Sequence, residues 1–217
     1  MPALLVGMAG PPRWNEREER IMDAIGIIHH EHSRIATVLK CLDRLAGRIS
    51  DERTVADLAA FEAIIDYLQA FPERFHHPKE NEYLFAALEQ RAPELAPTIR
   101  RLKAEHAEGE QRLNGLSRAL EGMRVGREGS REDFCRCVAD YVAFELEHMR
   151  TEETAVMPSA RAMLSEEEML ALQEAFSGHT DPLFDAHRQE KYIALYTHLL
   201  DVIPAPDGFA PPWTRAS

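Results

Sequence analysis

The chain has 217 residues and a mass of 24.6 kDa, with 45% hydrophobic and 29% charged residues, a composition that folds in water and can bury one sizeable core. Thirty-seven acidic against 25 basic residues give a formal net charge of −12 and a pI near 5.3. That is the wrong sign for phosphate backbones or an anionic lipid surface, so nucleic acid and membrane are excluded as expected partners.

Residues 1–14, with Pro11-Pro12, read as a flexible lead-in to a folded unit over residues 15–160. From about Asn15, the residues Ile21, Ile25, Ile28, His32, Ile35, Leu39, Leu42 and Ala46 recur at three- and four-residue steps. This predicts one long amphipathic helix, stopped by Gly47. After a polar loop around Ser50 to Thr54, a second seam runs through Leu58, Phe61, Ile65, Leu68, Pro72, His76, Glu80, Tyr83 and Ala87, ending near Arg91. A third helix, starting after Pro93 or Pro97, carries Leu95, Ile99, Leu102, His106, Gly109, Leu113, Leu116 and Leu120, and Gly122, Gly126 and Gly129 mark the turn beyond it. The fourth begins near Ser130 with Glu132 and Asp133 in its first turn, as the helix dipole favours. It carries Phe134, Cys137, Tyr141, Phe144, His148, Glu152 and Ala155 until Pro158 ends or kinks it.

Four amphipathic helices with short connections predict an all-α fold, an antiparallel up-down four-helix bundle. Residues 161–201 hold two short helices expected to pack on it, one from Ser165 to about Ser177 with Gly178 as its stop, one from about His187 to Asp201. Residues 202–217, with four prolines, read as an irregular tail. No stretch approaches the roughly 20 apolar residues of a membrane span. Cys41, Cys135 and Cys137 lack the parity of a disulfide framework and the spacing of a zinc pair. A cytoplasmic location is expected.

The informative feature is polar. Each of the four helices has a histidine in the middle of its apolar seam: His32, His76, His106 and His148. Two are followed at the fourth position by glutamate, as His76 with Glu80 and His148 with Glu152, and residues four apart stack on one helix face. The spacing repeats, with 44 residues from His32 to His76 and 42 from His106 to His148. A lone histidine on an apolar face is usually a hydrogen-bonded core residue, but four, one per helix, are not so explained. Two hairpins related by a rough two-fold axis bring four imidazoles and two carboxylates together, enough for two metal ions bridged by the glutamates. Mixed imidazole and carboxylate donors suit iron, manganese or zinc and do not suit an iron–sulfur cluster.

The stretches Glu31-His32-Ser33-Arg34-Ile35, His76-His77-Pro78-Lys79-Glu80, Glu105-His106-Ala107-Glu108-Gly109 and His148-Met149-Arg150-Thr151-Glu152-Glu153 resemble the hemerythrin-like (HHE cation-binding) domain. The resemblance covers roughly residues 20–160. It implies an oxo- or hydroxo-bridged pair of iron ions with His32, His76, Glu80, His106, His148 and Glu152 as ligands. It also implies a role in binding or sensing oxygen, nitric oxide or iron, or in repairing iron centres. Oxygen-carrying hemerythrins have a second histidine four residues after the third-helix ligand, where this chain has Glu110, a candidate additional ligand. Some iron-repair relatives use the first histidine of a His-x-x-His pair, which makes His29 a second candidate beside His32.

A ferritin-like reading competes, because Glu73-x-x-His76 and Glu145-x-x-His148 each form a Glu-x-x-His motif; it wants glutamate where His32 and His106 stand. A redox enzyme would need an electron donor, and no flavin or nicotinamide motif is present. Iron storage or delivery is the third class, and a protein partner is not indicated. Tyr83 and Tyr141 read as core tyrosines sharing the ligand faces, His77 as a boundary residue, His30 as surface, and His179, His187 and His198 as surface or tail.

Overall fold

The first helix starts where a side chain takes over from the backbone. Asp23 leaves the helical region, and its carboxylate accepts the Gly26 N–H at 2.7 Å, satisfying one of the orphan donors of helix α1, Ala24–Ile49. The computed structural model describes residues 23–51, 54–179 and 181–183, together with Tyr192 and Leu195. The helix starts at Ala24, the expected start near Asn15 lying outside the described residues, and it runs through Gly47 to Ile49 without stopping. The expected lead-in, the proline-rich tail, His187 and His198 lie outside the described residues. Tyr192 and Leu195, within the expected last helix, are helical and buried.

The second rod is not a uniform helix. It consists of α2 (Leu58–Ala70), a π-helical turn over Pro72–His76, α3 (His77–Lys79), a second π turn over Glu80–Phe85, and α4 (Ala86–Arg91). In the first π turn the His76 N–H donates to the Phe71 carbonyl at 3.2 Å and the His77 N–H to that of Pro72, each five residues back. Pro78 lacks an N–H, and its ring crowds the carbonyl four residues earlier, so the turn ahead of it widens. The same device recurs in the fourth rod: α6 (Ser130–Thr151) passes through a π turn over Glu152–Val156 into α7 (Met157–Met163). In both rods a proline, Pro78 or Pro158, stands two residues after the π turn. Pro158 thus stands inside the rod without ending it.

A widened turn advances the buried seam by one residue. Leu84 and Leu88 are buried where strict periodicity predicts Tyr83 and Ala87, and Tyr83 is exposed. In the fourth rod, Val156 replaces Ala155 as the buried residue.

Between the rods, a 3₁₀ turn at Pro93–Leu95 leads into α5 (Ala96–Arg124), and Gly126 and Gly129, with φ of 69° and 71°, make the turn into α6. Gly122 lies inside α5, before that turn. Helix α8, Glu166–Ser177, opens on a capping box between Ser165 and Glu168 and stops at Gly178. Helix α6 packs on α5 and α1, α2 packs on α5 and α1, and α8 lies against α1 and the Glu80–Phe85 turn. Among the described residues there is no strand, and no helix is long and apolar enough to cross a membrane. The apolar interior falls into two separate clusters, one around Leu42, Phe61 and Phe134, the other around Ile28, Phe85 and Phe176. The predicted histidines and glutamates belong to neither.

Candidate metal centre

His32 comes from α1, His76 from the first π turn, Glu80 from the second, His106 from α5, His148 from α6 and Glu152 from the last π turn. All six are buried, and Glu80 and Glu152 have no exposed surface at all. Each carboxylate spans two groups of imidazoles. Glu80 Oε1 lies 3.4 Å from His32 Nε2 and 3.3 Å from His76 Nε2, while its Oε2 lies 3.5 Å from His106 Nε2. Glu152 does the reverse: Oε2 is 3.4 Å from His32 Nε2, and Oε1 is 3.2 Å from His148 Nε2 and 3.8 Å from His106 Nε2. The result is two half-sites, one of His32 and His76, the other of His106 and His148, joined by both glutamates.

A side-chain oxygen stands behind each ring. His76 Nδ1 is 2.6 Å from Glu31 Oε2, His148 Nδ1 is 3.0 Å from Glu105 Oε2, His32 Nδ1 is 3.3 Å from Glu153 Oε1, and His106 Nδ1 is 3.2 Å from Asn81 Oδ1. An oxygen at Nδ1 holds the proton there, turns the ring and leaves Nε2 a free lone pair, as metal-ligating histidines require. Glu31 and Glu105 each precede a predicted ligand and hold the histidine of the neighbouring rod, so the repeat includes these two carboxylates.

The metal-free electrostatics show what is missing. Burial pushes the Glu80 carboxyl up, but His76, His106 and His32 overcome it and hold it well below the usual range. Burial and Glu80 push Glu152 up, and His148 and His106 bring it down to about 2. Burial lowers His148, yet Glu152, Glu80 and Glu105 raise it to about 9. Even so, both oxygens of Glu152, Glu80 Oε2 and His76 Nε2 are buried without a hydrogen-bond partner. The facing Nε2 atoms of His106 and His148 are 2.9 Å apart, close to the roughly 3 Å between neighbouring ligands of one ion at ~2.1 Å. A buried charged group without partners costs several kcal/mol, and a cation placed among these atoms supplies them.

The two additional candidates do not join the cluster. His29 is on the exposed side of α1, its Nδ1 3.0 Å from Glu153 Oε1, and Glu110 points to solvent. Glu73 and Glu145, the ferritin-like pair, gather instead beside Gly109. A Cβ there would lie 2.7 Å from Glu145 Oε1 and 3.6 Å from Glu73 Oε1. Burial pushes Glu145 to about 7, against His148 and with Glu73 adding to the rise. Tyr141 is a buried core tyrosine. His179 is exposed, its ring 4.4 Å from that of Phe75, and His30 is half-buried.

His77 is the correction. Far from lying at the boundary, it is buried, its ring stacked on that of His106 at 4.2 Å and 12°. The widened turn before it rotates it inward, which strict helical phase does not anticipate. Glu31 and Glu105 were legible only as neighbours of ligands, since their reach to another rod depends on packing.

A helical protein with such an imidazole and carboxylate cluster in its core is a cation-binding protein. The model of the hemerythrin HHE cation binding domain matches residues 23–160, and the chain belongs to that family. The match opens at Asp23, the cap of α1. No curated protein matches the chain.

Proposed function

We propose that this chain holds a non-haem di-iron centre in an antiparallel up-down four-helix bundle and uses it to bind or sense a small ligand, oxygen or nitric oxide, or iron itself. The ligands are His32, His76, Glu80, His106, His148 and Glu152. The observation that carries the reading is the span of Glu80 and Glu152, each with one oxygen at either half-site. Connections of a few residues between rods that touch in a closed ring support the antiparallel arrangement. The donor set suits iron, manganese or zinc, and iron is the metal the family resemblance implies. A bound iron pair supplies open coordination positions and one-electron redox change. The protein's own residues fix the ligand atoms, neutralise the charge with two buried carboxylates and exclude bulk water.

Aerobically purified protein is expected to hold close to two irons per chain, with near-ultraviolet charge-transfer absorption of a bridged ferric pair. Exposing the reduced protein to oxygen and to nitric oxide then separates binding from slow irreversible oxidation. His76→Ala and His148→Ala are expected to strip metal and His179→Ala to leave it. Equal effects of all three, or zinc alone retained after iron-replete expression, would overturn the assignment.

A further inference from the structure

Outside the centre, two carboxylates from different rods meet beside Gly109 of α5. Glu73 stands three residues before His76, and Glu145 three before His148. Both Oε1 atoms lie within 3.6 Å of the point that a Cβ on Gly109 would occupy, so the missing side chain leaves the room they share. We propose that Glu73 and Glu145, with the Nδ1 atom of His77, form a staging site for a divalent cation, through which metal reaches the half-site of His106 and His148.

Three observations support this. Glu145 is buried, and Glu73 Oε1 is buried without a hydrogen-bond partner. Two like charges so placed need a cation or a proton between them. The second observation is His77, 5% exposed, whose Nδ1 is likewise without a hydrogen-bond partner and faces Glu73 Oε2 at 3.5 Å. A buried imidazole nitrogen normally has a partner, and two carboxylates with an imidazole are donors that suit ferrous iron, manganese or zinc. Third, the set leads inward. The Glu73 side chain keeps some contact with solvent, Glu145 has little, and Glu145 in turn lies within electrostatic reach of His148 and His106. An entrance lined by negative charge concentrates cations and speeds their capture.

The inference rests on the di-metal reading, and its test separates the two. Metal-free chain is mixed with cobalt(II) in a stopped-flow instrument, and loading is followed by ligand-field absorption. Glu73→Gln combined with Glu145→Gln keeps the shape of both side chains and removes their charge; Gly109→Ala keeps the charge and fills the room. Both variants should reach the parent's final metal content but load about ten-fold more slowly or worse. Glu110→Gln removes a carboxylate next to Gly109 that points to solvent, and it should load at the parent rate. In a second measurement the parent, given two equivalents of zinc, should hold one further manganese(II) ion by electron paramagnetic resonance, and the double glutamine variant none. Circular dichroism identifies a variant that has lost the fold, and the isosteric glutamines carry the test if Gly109→Ala does. Parent-rate loading by the double variant, or no manganese on the zinc-filled parent, would leave the pair holding a proton only and overturn the staging site. Equal slowing by Glu110→Gln would reduce the effect to general surface charge and overturn it too. A parent chain that takes up no metal at all would overturn the centre itself.

Discussion

In the proposed metal centre Glu31 stands behind a ligand, on the Nδ1 side of His76, and the structure sets the size of the contribution expected of it. Its carboxylate accepts the Nδ1–H of His76 at 2.6 Å, and its side chain is 5% exposed. Glu31→Gln keeps an oxygen acceptor of nearly the same shape and removes the charge. A buried hydrogen bond to a charged partner is worth about 1.5–3 kcal/mol, against about 1 for a neutral one. The change should therefore weaken the ion at His32 and His76 by about 1–2 kcal/mol, roughly 5- to 30-fold. Glu105 holds His148 in the equivalent way at 3.0 Å, but its side chain is 22% exposed. Water screens it, and Glu105→Gln should cost less, roughly 3- to 10-fold. Competitive titration with a chromophoric chelator gives both affinities. Equal losses at the two positions, or a loss at Glu31 under two-fold, would refute the reasoning that burial sets the strength of these contacts.

Metal uptake should be coupled to proton release. His148, raised to about 9 by its glutamates, is protonated in the metal-free protein at neutral pH and must lose that proton to become a ligand. Affinity should rise about ten-fold per pH unit between pH 6 and 8 from this group alone, which titration calorimetry in buffers of different ionisation enthalpy will read. His29→Ala and Glu110→Gln should each leave the metal content at the parent value by elemental analysis. Asp181, whose carboxylate accepts from the Tyr67 hydroxyl and the Leu183 N–H, both at 2.9 Å, is pushed by burial to about 6 from 3.8. A raised carboxyl pKa means the native state binds the proton more tightly, so this group's contribution is full below about pH 4 and is lost as pH rises through 6. The stability of the parent relative to Asp181→Asn should fall by up to about 3 kcal/mol across that window, measured by urea denaturation; a rise would refute it.

The helices and the gathering of the six expected side chains were legible because each seam repeats at the helical period and a polar residue in it stands out. His32 and both His-x-x-x-Glu pairs needed nothing more than spacing. Where periodicity itself changes, the reading drifts: past the π turns at Pro72–His76 and Glu80–Phe85 the seam moves on by one residue, so Tyr83 falls outside and Leu84 inside. Pro78 follows the first widening by two residues. The same distortion at Glu152–Val156 has its cause in Pro158, which reads equally well as a terminator. His32 lies 17 residues before Ile49 and His76 18 residues after Leu58, so the two rods are level.

The division of the interior into two apolar clusters has a consequence for how the molecule comes apart. The imidazole and carboxylate layer between them is a seal whose two faces are greasy and whose middle is ionic. With a cation pair in place, that layer couples the two halves, and melting should be a single sharp event. Stripped of metal, it becomes a wettable plane across the protein, along which water can enter and one half can loosen ahead of the other. Hydrogen exchange on the metal-free chain should then divide the amides of each rod at its ligands, with His32, His76, His106 and His148 as the common boundary.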